Sequence, residues 1–430
     1  MNKILEGLVV SSAGIGRKQI VFDDNTGLIT SVGDVKVPRE NVDYFYDDDC
    51  LVFAGFIDIH VHAREDVTGK FKYKEDFRSI SRAAVNGGVT AMADMPNNPS
   101  PPIDEKSYYE KLSLISPMKV PIFLYAGIGN TTLPLGFDVP YKLFMSQSVG
   151  DLFFDSEKAL ENTLRHYEGE SVSFHCEDGD ILKKCKNKDD HFARRPAEAE
   201  VVSIGKAIKL IEKYSLKGKI CHVSTGEGLL KILAAKDAGI CVKAEVTPWH
   251  LYYNHEGLNT FERNFFQVNP PIRKRHDQQM LLKHFIRGDI DFLATDHAPH
   301  TLTEKQDGIS GLTGLDTFGP FVSWMIKEKN VSLEIIAKTC AENPGTFLNQ
   351  FLPSLNEAFG LYNNLGKGLG LIEEDHTASF TVLNTKKSIT IRNNLIKSKA
   401  SWSPFEGKTF PGSVHEVFVN GRTNIDKLVR

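Results

Sequence analysis

The sequence lacks most of the features that would assign a chain to a specialised class. Its six cysteines, Cys50, Cys176, Cys185, Cys221, Cys241 and Cys340, are scattered with no CxxC among them. That removes a disulfide framework and a thiolate zinc site, and leaves buried thiols in a reducing compartment as the expectation. No stretch approaches the roughly 18 apolar residues a membrane span requires. The apolar patch in the N-terminal MNKILEGLVVSSAGIGRKQI is too short for a secretion signal, so a cytoplasmic protein is expected. Lys and Arg total 51 against 55 Asp and Glu, a balance without a cationic footprint for nucleic acid or membrane. No repeat of fixed period and no low-complexity tract occurs. The charged stretch KDDHFARRP, 188–196, is expected to be a solvated loop.

What is present is an ordinary globular composition, 41% hydrophobic and 25% charged over 430 residues. That length is large for one core and implies one big domain with a smaller companion. Short strands punctuated by turns fill the first fifty residues, in GLVV, KQIVFDD and GLITSVGD. They return at the end in TASFTVLN, SITIR and SVHEVFVNGR. Neither set buries much alone, so residues 1–53 and 376–430 are expected to join into one small β-sandwich domain. Between them, over 54–375, strands are predicted near 54–62, 90–96, 121–127, 141–146, 171–176, 219–224, 241–247 and 290–296. Helical periodicity lies between most of them, as in SEKALENTLRHYEGE and in PAEAEVVSIGKAIKLIEKY from Pro196. Eight such units predict an α/β fold of the (β/α)8 TIM-barrel type. A doubly wound open sheet is the alternative, because periodicity does not show closure.

The stretch GFIDIHVHAR, 55–64, puts His60, His62 and Arg64 at alternate positions at the end of an apolar strand. Alternate residues share a face, roughly 6.5–7 Å apart, a spacing that suits a shared ligand. In a barrel, chemistry collects at the C-terminal ends of the strands. The residues predicted there are His60, His62, Lys142, His175, His222 and Asp296. A lone histidine is more often a hydrogen-bonded core residue than a ligand. Two on one buried strand, joined by the carboxylate in FLATDHAP, are costly to bury without a cation. The donors are nitrogen and oxygen, which suits catalytic Zn²⁺, with Mn²⁺, Co²⁺ and Fe²⁺ also compatible. Cys176 and Cys221 adjoin histidines and are expected to face outward by strand alternation. Lys142, in YKLFM, reads most simply as a snorkelling surface lysine. It becomes a metal bridge only if CO2 converts its amine to a carbamate.

In combination, GFIDIHVHAR, AAVNGGVTAMADMPNN, YKLFM, FHCED, CHVSTGEGL, AEVTPWHL, VNPPIR, ATDHAPH and WSPFEGKTFPGSV resemble the dihydroorotases of the amidohydrolase superfamily, in family order over residues 50 to about 420. The resemblance implies a barrel with a small β domain and a binuclear zinc centre. His60 and His62 would hold one metal, His175 and His222 the other, with carboxylated Lys142 bridging and Asp296 both ligand and catalytic acid/base. The implied reaction is the reversible closure of N-carbamoyl-L-aspartate to L-dihydroorotate plus water, a step of pyrimidine synthesis. Arg64, Asn97 and His300 would bind the substrate carboxylate, Asn269 the polar edge of the ring, and Ser310 and Gly311 the ring through backbone. The partners implied are the small-molecule substrate, a homodimeric second copy and aspartate transcarbamoylase, with no nucleic acid and no membrane.

Three stretches depart from the family pattern or stand out against it. REDVTGKFKYKED replaces a shorter loop, Trp249 stands where histidine is common, and SQSVGD, 146–151, falls where relatives carry a mobile active-site loop. Two other readings use much of the same pattern. One is a dihydropyrimidinase, hydantoinase or allantoinase, which Arg64 disfavours because it expects an acidic substrate. The other is a non-catalytic scaffold, disfavoured because all six ligand positions are filled.

Overall fold

The computed structural model describes residues 1–115, 120–146, 152–154 and 156–423. Eight parallel strand positions form the centre: Phe56–Val61, Val89–Asp94, Ile122–Leu124 continued by Ala126–Gly127, Tyr141–Phe144, Ser171–His175, Lys217–Ile220, Val242–Val246 and Phe292–Leu293. Each pairs with the next in chain order. The ring closes where Val61 bridges His297 in parallel and the His62 N–H donates to the His297 carbonyl over 2.8 Å. Closure decides for the barrel over the open sheet. The strands read as near-continuous apolar runs because both faces are covered, the inner by the barrel's own side chains and the outer by helices.

The helices begin where local chemistry starts them. Asp76 caps Phe77–Asn86 in a reciprocal box with Ser79, and Ser156 caps Glu157–Leu164 by accepting from the Ala159 N–H. Ala197–Lys213 starts after Pro196 and turns Ile204, Ala207 and Ile211 into the core.

The two ends of the chain meet in one seven-stranded sheet, ordered Ser413–Phe418, Phe380–Asn384, Cys50–Ala54, Asn2–Ser11, Gly14–Asp23 and Leu28–Gly33, with Tyr44–Phe45 also paired to Asn2–Ser11. Asn2–Ser11 and Gly14–Asp23 pair along their whole length around a two-residue turn. Alternation sorts the faces: Val52 joins Ile20, Phe22, Phe380 and Phe418 on one side, while Leu51 and Phe53 enter the barrel's core on the other. The sheet passes straight into the first barrel strand at Gly55, where a Cβ would lie 2.1 Å from Thr90 Oγ1.

Among the described residues, no helix is long and apolar enough to cross a membrane. The expectation of buried thiols needs correction at two positions: Cys241 is exposed and Cys185 partly so. Cys241 lies immediately before the strand Val242–Val246, where the chain is at the surface.

Candidate active site

Asp58 and His60 alternate along the first barrel strand, and His62 follows just past its end. Asp58, fully buried, accepts from the His60 N–H at 3.0 Å and from the Thr295 hydroxyl, which ties the first strand to the eighth beneath the site. Burial pushes its carboxyl up to about 7. At the mouth the chain leaves regular geometry. Arg64, His222 and Asp296 all have positive φ, at 61°, 38° and 45°. Left-handed backbone at non-glycine residues costs of order 1 kcal/mol each and collects at functional sites.

His60, His62, Lys142, His175, His222 and Asp296 come together in the lining of a cavity of about 650 Å³. Asp296 Oδ1 lies 3.0 Å from His62 Nε2 and 3.3 Å from His60 Nε2. His175 Nδ1 lies 3.0 Å from His222 Nε2. His60, His222 and Asp296 offer donor atoms within 4.8 Å of one another. Two nitrogens on one tetrahedral zinc stand roughly 3.3 Å apart, so these spacings suit a cation among them.

The protonation pattern fits as well. Burial, and then the Lys142 and Lys219 charges, hold His60 well below the usual imidazole range; burial leads for His62, His175 and His222 too. Neutral imidazoles keep a lone pair for a metal. Outer partners choose which nitrogen carries it. Glu245 sits 2.6 Å from His60 Nδ1 and Glu177 sits 3.0 Å from His175 Nε2, leaving His60 Nε2 and His175 Nδ1 turned to the cavity. Burial also lifts the Asp296 carboxyl to about 7.

Lys142 is not a surface lysine. It is 1% exposed, and its Nζ lies 2.9 Å from Cys221 Sγ, with no carboxylate in ion-pair range among the described residues. Cys221 is a correction to its expected outward orientation. The sixth strand ends at Ile220, short of the predicted 224, and alternation stops applying where the backbone bends into the positive φ of His222. Cys176, still beside its strand, does face the helix Ala197–Lys213 at Ser203.

The same cavity is also lined by Arg64, Asn97, Asn269, His300, Ser310 and Gly311. Arg64 Nη2 lies 3.2 Å from His300 Nε2, while Arg64 Nε, Asn97 Oδ1 and Asn269 Oδ1 are buried without a hydrogen-bond partner. Gly311 has φ 139°, and a Cβ there would lie 2.5 Å from the Ala298 carbonyl, so only glycine lets this loop close on the strand end.

Sequence reasoning missed several contributors. The segment 188–196 is not simply solvated: His191, Arg194 and Arg195 line the cavity, and Arg195 forks onto Glu177. Burial would raise the Glu177 carboxyl, but the Arg195 charge and the His175 hydrogen bond outweigh it and hold the group below its usual range. Glu245 also accepts from the Lys219 ammonium and the His222 N–H. Phe71 and Lys74, from the extended 65–74 stretch, line the cavity too. Trp249 is fully buried against Gly314. Of the stretch 146–151, residues 147–151 lie outside the described residues.

Comparison with known proteins agrees with this geometry. Residues 51–120 match the model of the Amidohydrolase family. The dihydroorotase of Thermococcus kodakarensis is 32% identical over 426 residues, 97% of this chain and 93% of that one. Those of Pyrococcus furiosus and a Geobacillus species are each 30% identical, covering 88% and 92% of this chain and 82% and 92% of theirs. Among solved structures, the L-hydantoinase (dihydropyrimidinase) of Arthrobacter aurescens superposes with a TM-score of 0.83 at 23% identity, over 98% of this chain and 96% of its own, a likeness of fold. With relatives of that identity matched over nearly their whole length, the chain belongs to the dihydroorotase family of amidohydrolases.

Proposed function

We propose that the protein interconverts N-carbamoyl-L-aspartate and L-dihydroorotate. The observation that carries this reading is the make-up of one cavity, whose lining combines neutral histidines and a carboxylate with an unpaired guanidinium nitrogen and two unpaired amide oxygens. A cyclic ureide bearing a carboxylate complements these groups, since its ring N–H suits Asn269 and its carboxylate suits Arg64 with the amide N–H of Asn97.

His60, His62, His175, His222 and Asp296 are the residues proposed to hold two zinc ions, bridged by a carbamate on Lys142. When bound, the metal pair lowers the pKa of a water toward neutrality and polarises the amide carbonyl. Asp296, buried beside His60 and His62 with its carboxyl lifted to about 7, accepts the attacking water's proton and returns it to the ring nitrogen as it leaves. Arg64 and His300 hold the carboxylate, and Asn269 and the backbone at Ser310 and Gly311 orient the ring. Glu177 and Glu245 keep two imidazoles in the tautomers that present a lone pair. The same reading puts the enzyme in the cytoplasm as a homodimer, able to associate with aspartate transcarbamoylase. It takes residues 1–53 and 376–430 as a small sandwich-type β domain beside a barrel over 54–375.

The test is ultraviolet loss of L-dihydroorotate with and without a chelator, with metal content measured in parallel. Turnover abolished by chelation and restored by Zn²⁺ is expected; full activity and retained metal in Lys142→Ala would remove the bridge. A second reading, hydantoin hydrolysis, is favoured by the fold shared with the hydantoinase structure. Turnover of hydantoin exceeding that of L-dihydroorotate would select it.

A further inference from the structure

His300 stands among groups that between them permit two different placements of its ring proton. Its Nε2 lies 3.2 Å from Arg64 Nη2, which can only donate. Its Nδ1 faces two groups of opposite character: Lys74 Nζ, a donor, at 3.3 Å, and Glu304 Oε2, an acceptor, at 3.4 Å. Burial, then the Arg64 and Lys74 charges, hold the imidazole well below its usual range, so the ring is neutral with one proton to place. As the structure stands, each ring nitrogen has a donor within hydrogen-bond distance, Arg64 Nη2 at Nε2 and Lys74 Nζ at Nδ1; a neutral ring accepts only one of them, and when it accepts from Arg64 the carboxylate nearest the Nδ1 proton is Glu304, at 3.4 Å.

A carboxylate arriving at Arg64 reverses that requirement. An unprotonated Nε2 would turn a lone pair toward the incoming anion. With the proton on Nε2, His300 instead becomes a second donor beside the guanidinium, and Nδ1 then needs a donor of its own. Lys74 is the group in place to supply it. Its ammonium is held 2.8 Å from Glu304 Oε1 and 4.5 Å over the Phe71 ring, and the residue is 6% exposed.

We propose that Lys74 is a positioning residue for substrate binding: together with Glu304 it allows His300 to carry its proton on either nitrogen, so that carboxylate binding at Arg64 converts Nε2 from acceptor to donor. The ring loses a proton from Nδ1 and gains one at Nε2 through water, so the imidazole stays neutral throughout. This assigns a role to the extended stretch 65–74, and it rests on the reading that Arg64 and His300 receive the substrate carboxylate.

Lys74→Met tests it in the full-length, metal-loaded enzyme. The KM for L-dihydroorotate is expected to rise about tenfold with kcat changed less than about twofold, and Lys74→Arg is expected to recover most of the loss. The ¹⁵N signals of His300, assigned with His300→Asn, are expected to move from the Nδ1–H to the Nε2–H pattern on saturation with malonate in the wild type, and to stay put in Lys74→Met. An unchanged KM, a fall in kcat at constant KM, failure of Lys74→Arg to recover, or an unmoved His300 signal in the wild type would each overturn the proposal. If the wild type does not turn over L-dihydroorotate, the proposed function fails by itself. The malonate experiment still decides the tautomer exchange.

Discussion

The terminal sheet and the barrel mouth are built from the same alternating strand chemistry and end up with opposite properties. In the sheet, Asn2–Ser11 and Gly14–Asp23 stay in register for ten residue pairs, and Ile20, Phe22, Phe380 and Phe418 bury one face completely. At the mouth, the strands stop after two to six residues, and three non-glycine residues adopt positive φ. Buried ionisable groups crowd the space beyond them. The contrast teaches that regular pairing supplies stability, while the chemistry sits where pairing ends and side chains are no longer obliged to alternate.

Substitutions can break that division or sharpen it. Asp296→Asn removes the group proposed as both base and acid, and turnover is expected to fall roughly ten-thousandfold, with thermal denaturation showing the fold intact. Phe22→Ala in the sheet is expected to do the converse. Denaturant unfolding should show a loss of about 4 kcal/mol, while kcat/KM per folded molecule is unchanged; a large fall in kcat/KM would mean the two regions are coupled.

A third prediction concerns a carboxyl buried between them. Asp316 accepts from Asn86 Nδ2 at 2.8 Å and the Lys397 N–H at 2.7 Å, and burial lifts it to about 6. The folded state therefore holds this proton more tightly than the unfolded chain. Its contribution is greatest below about pH 4 and is lost as pH rises toward 6, a change on the order of 3 kcal/mol. The stability difference between the wild type and Asp316→Asn should shift against the wild type over that window, measured by denaturant titration at each pH. A difference independent of pH would mean the carboxyl is not perturbed. The smallest expected effect is at Arg195. Arg195→Met should weaken metal binding about ten- to a hundredfold in chelator competition, because Glu177 then loses the cation that balances it behind His175.

Much of the architecture is legible in the residues alone. The approximate positions of the eight strands, the short strands at both termini and the shared facing of His60 and His62 follow from period-two patterning and need only local geometry. Some of the unexpected contributors do carry a signal. Glu177 follows His175 by two residues, as His62 follows His60, and Glu245 interrupts the otherwise apolar end of VKAEV, where an unpaired carboxylate would be costly. Other residues carry none. Cys221 and Lys74 look like ordinary small or polar residues until the ring closes over them, and 188–196 looks solvated until Arg195 meets Glu177.

By itself the sequence determined the inventory: which strands form, which of their residues point the same way, and which donor types are offered, because these depend on neighbours one to four positions apart. Tertiary structure alone decided which residues meet. Residues separated by up to 236 positions, as Arg64 and His300 are, come within 3.2 Å of each other, and the burial that neutralises imidazoles and lifts Asp296 exists only once eight strands close and exclude water.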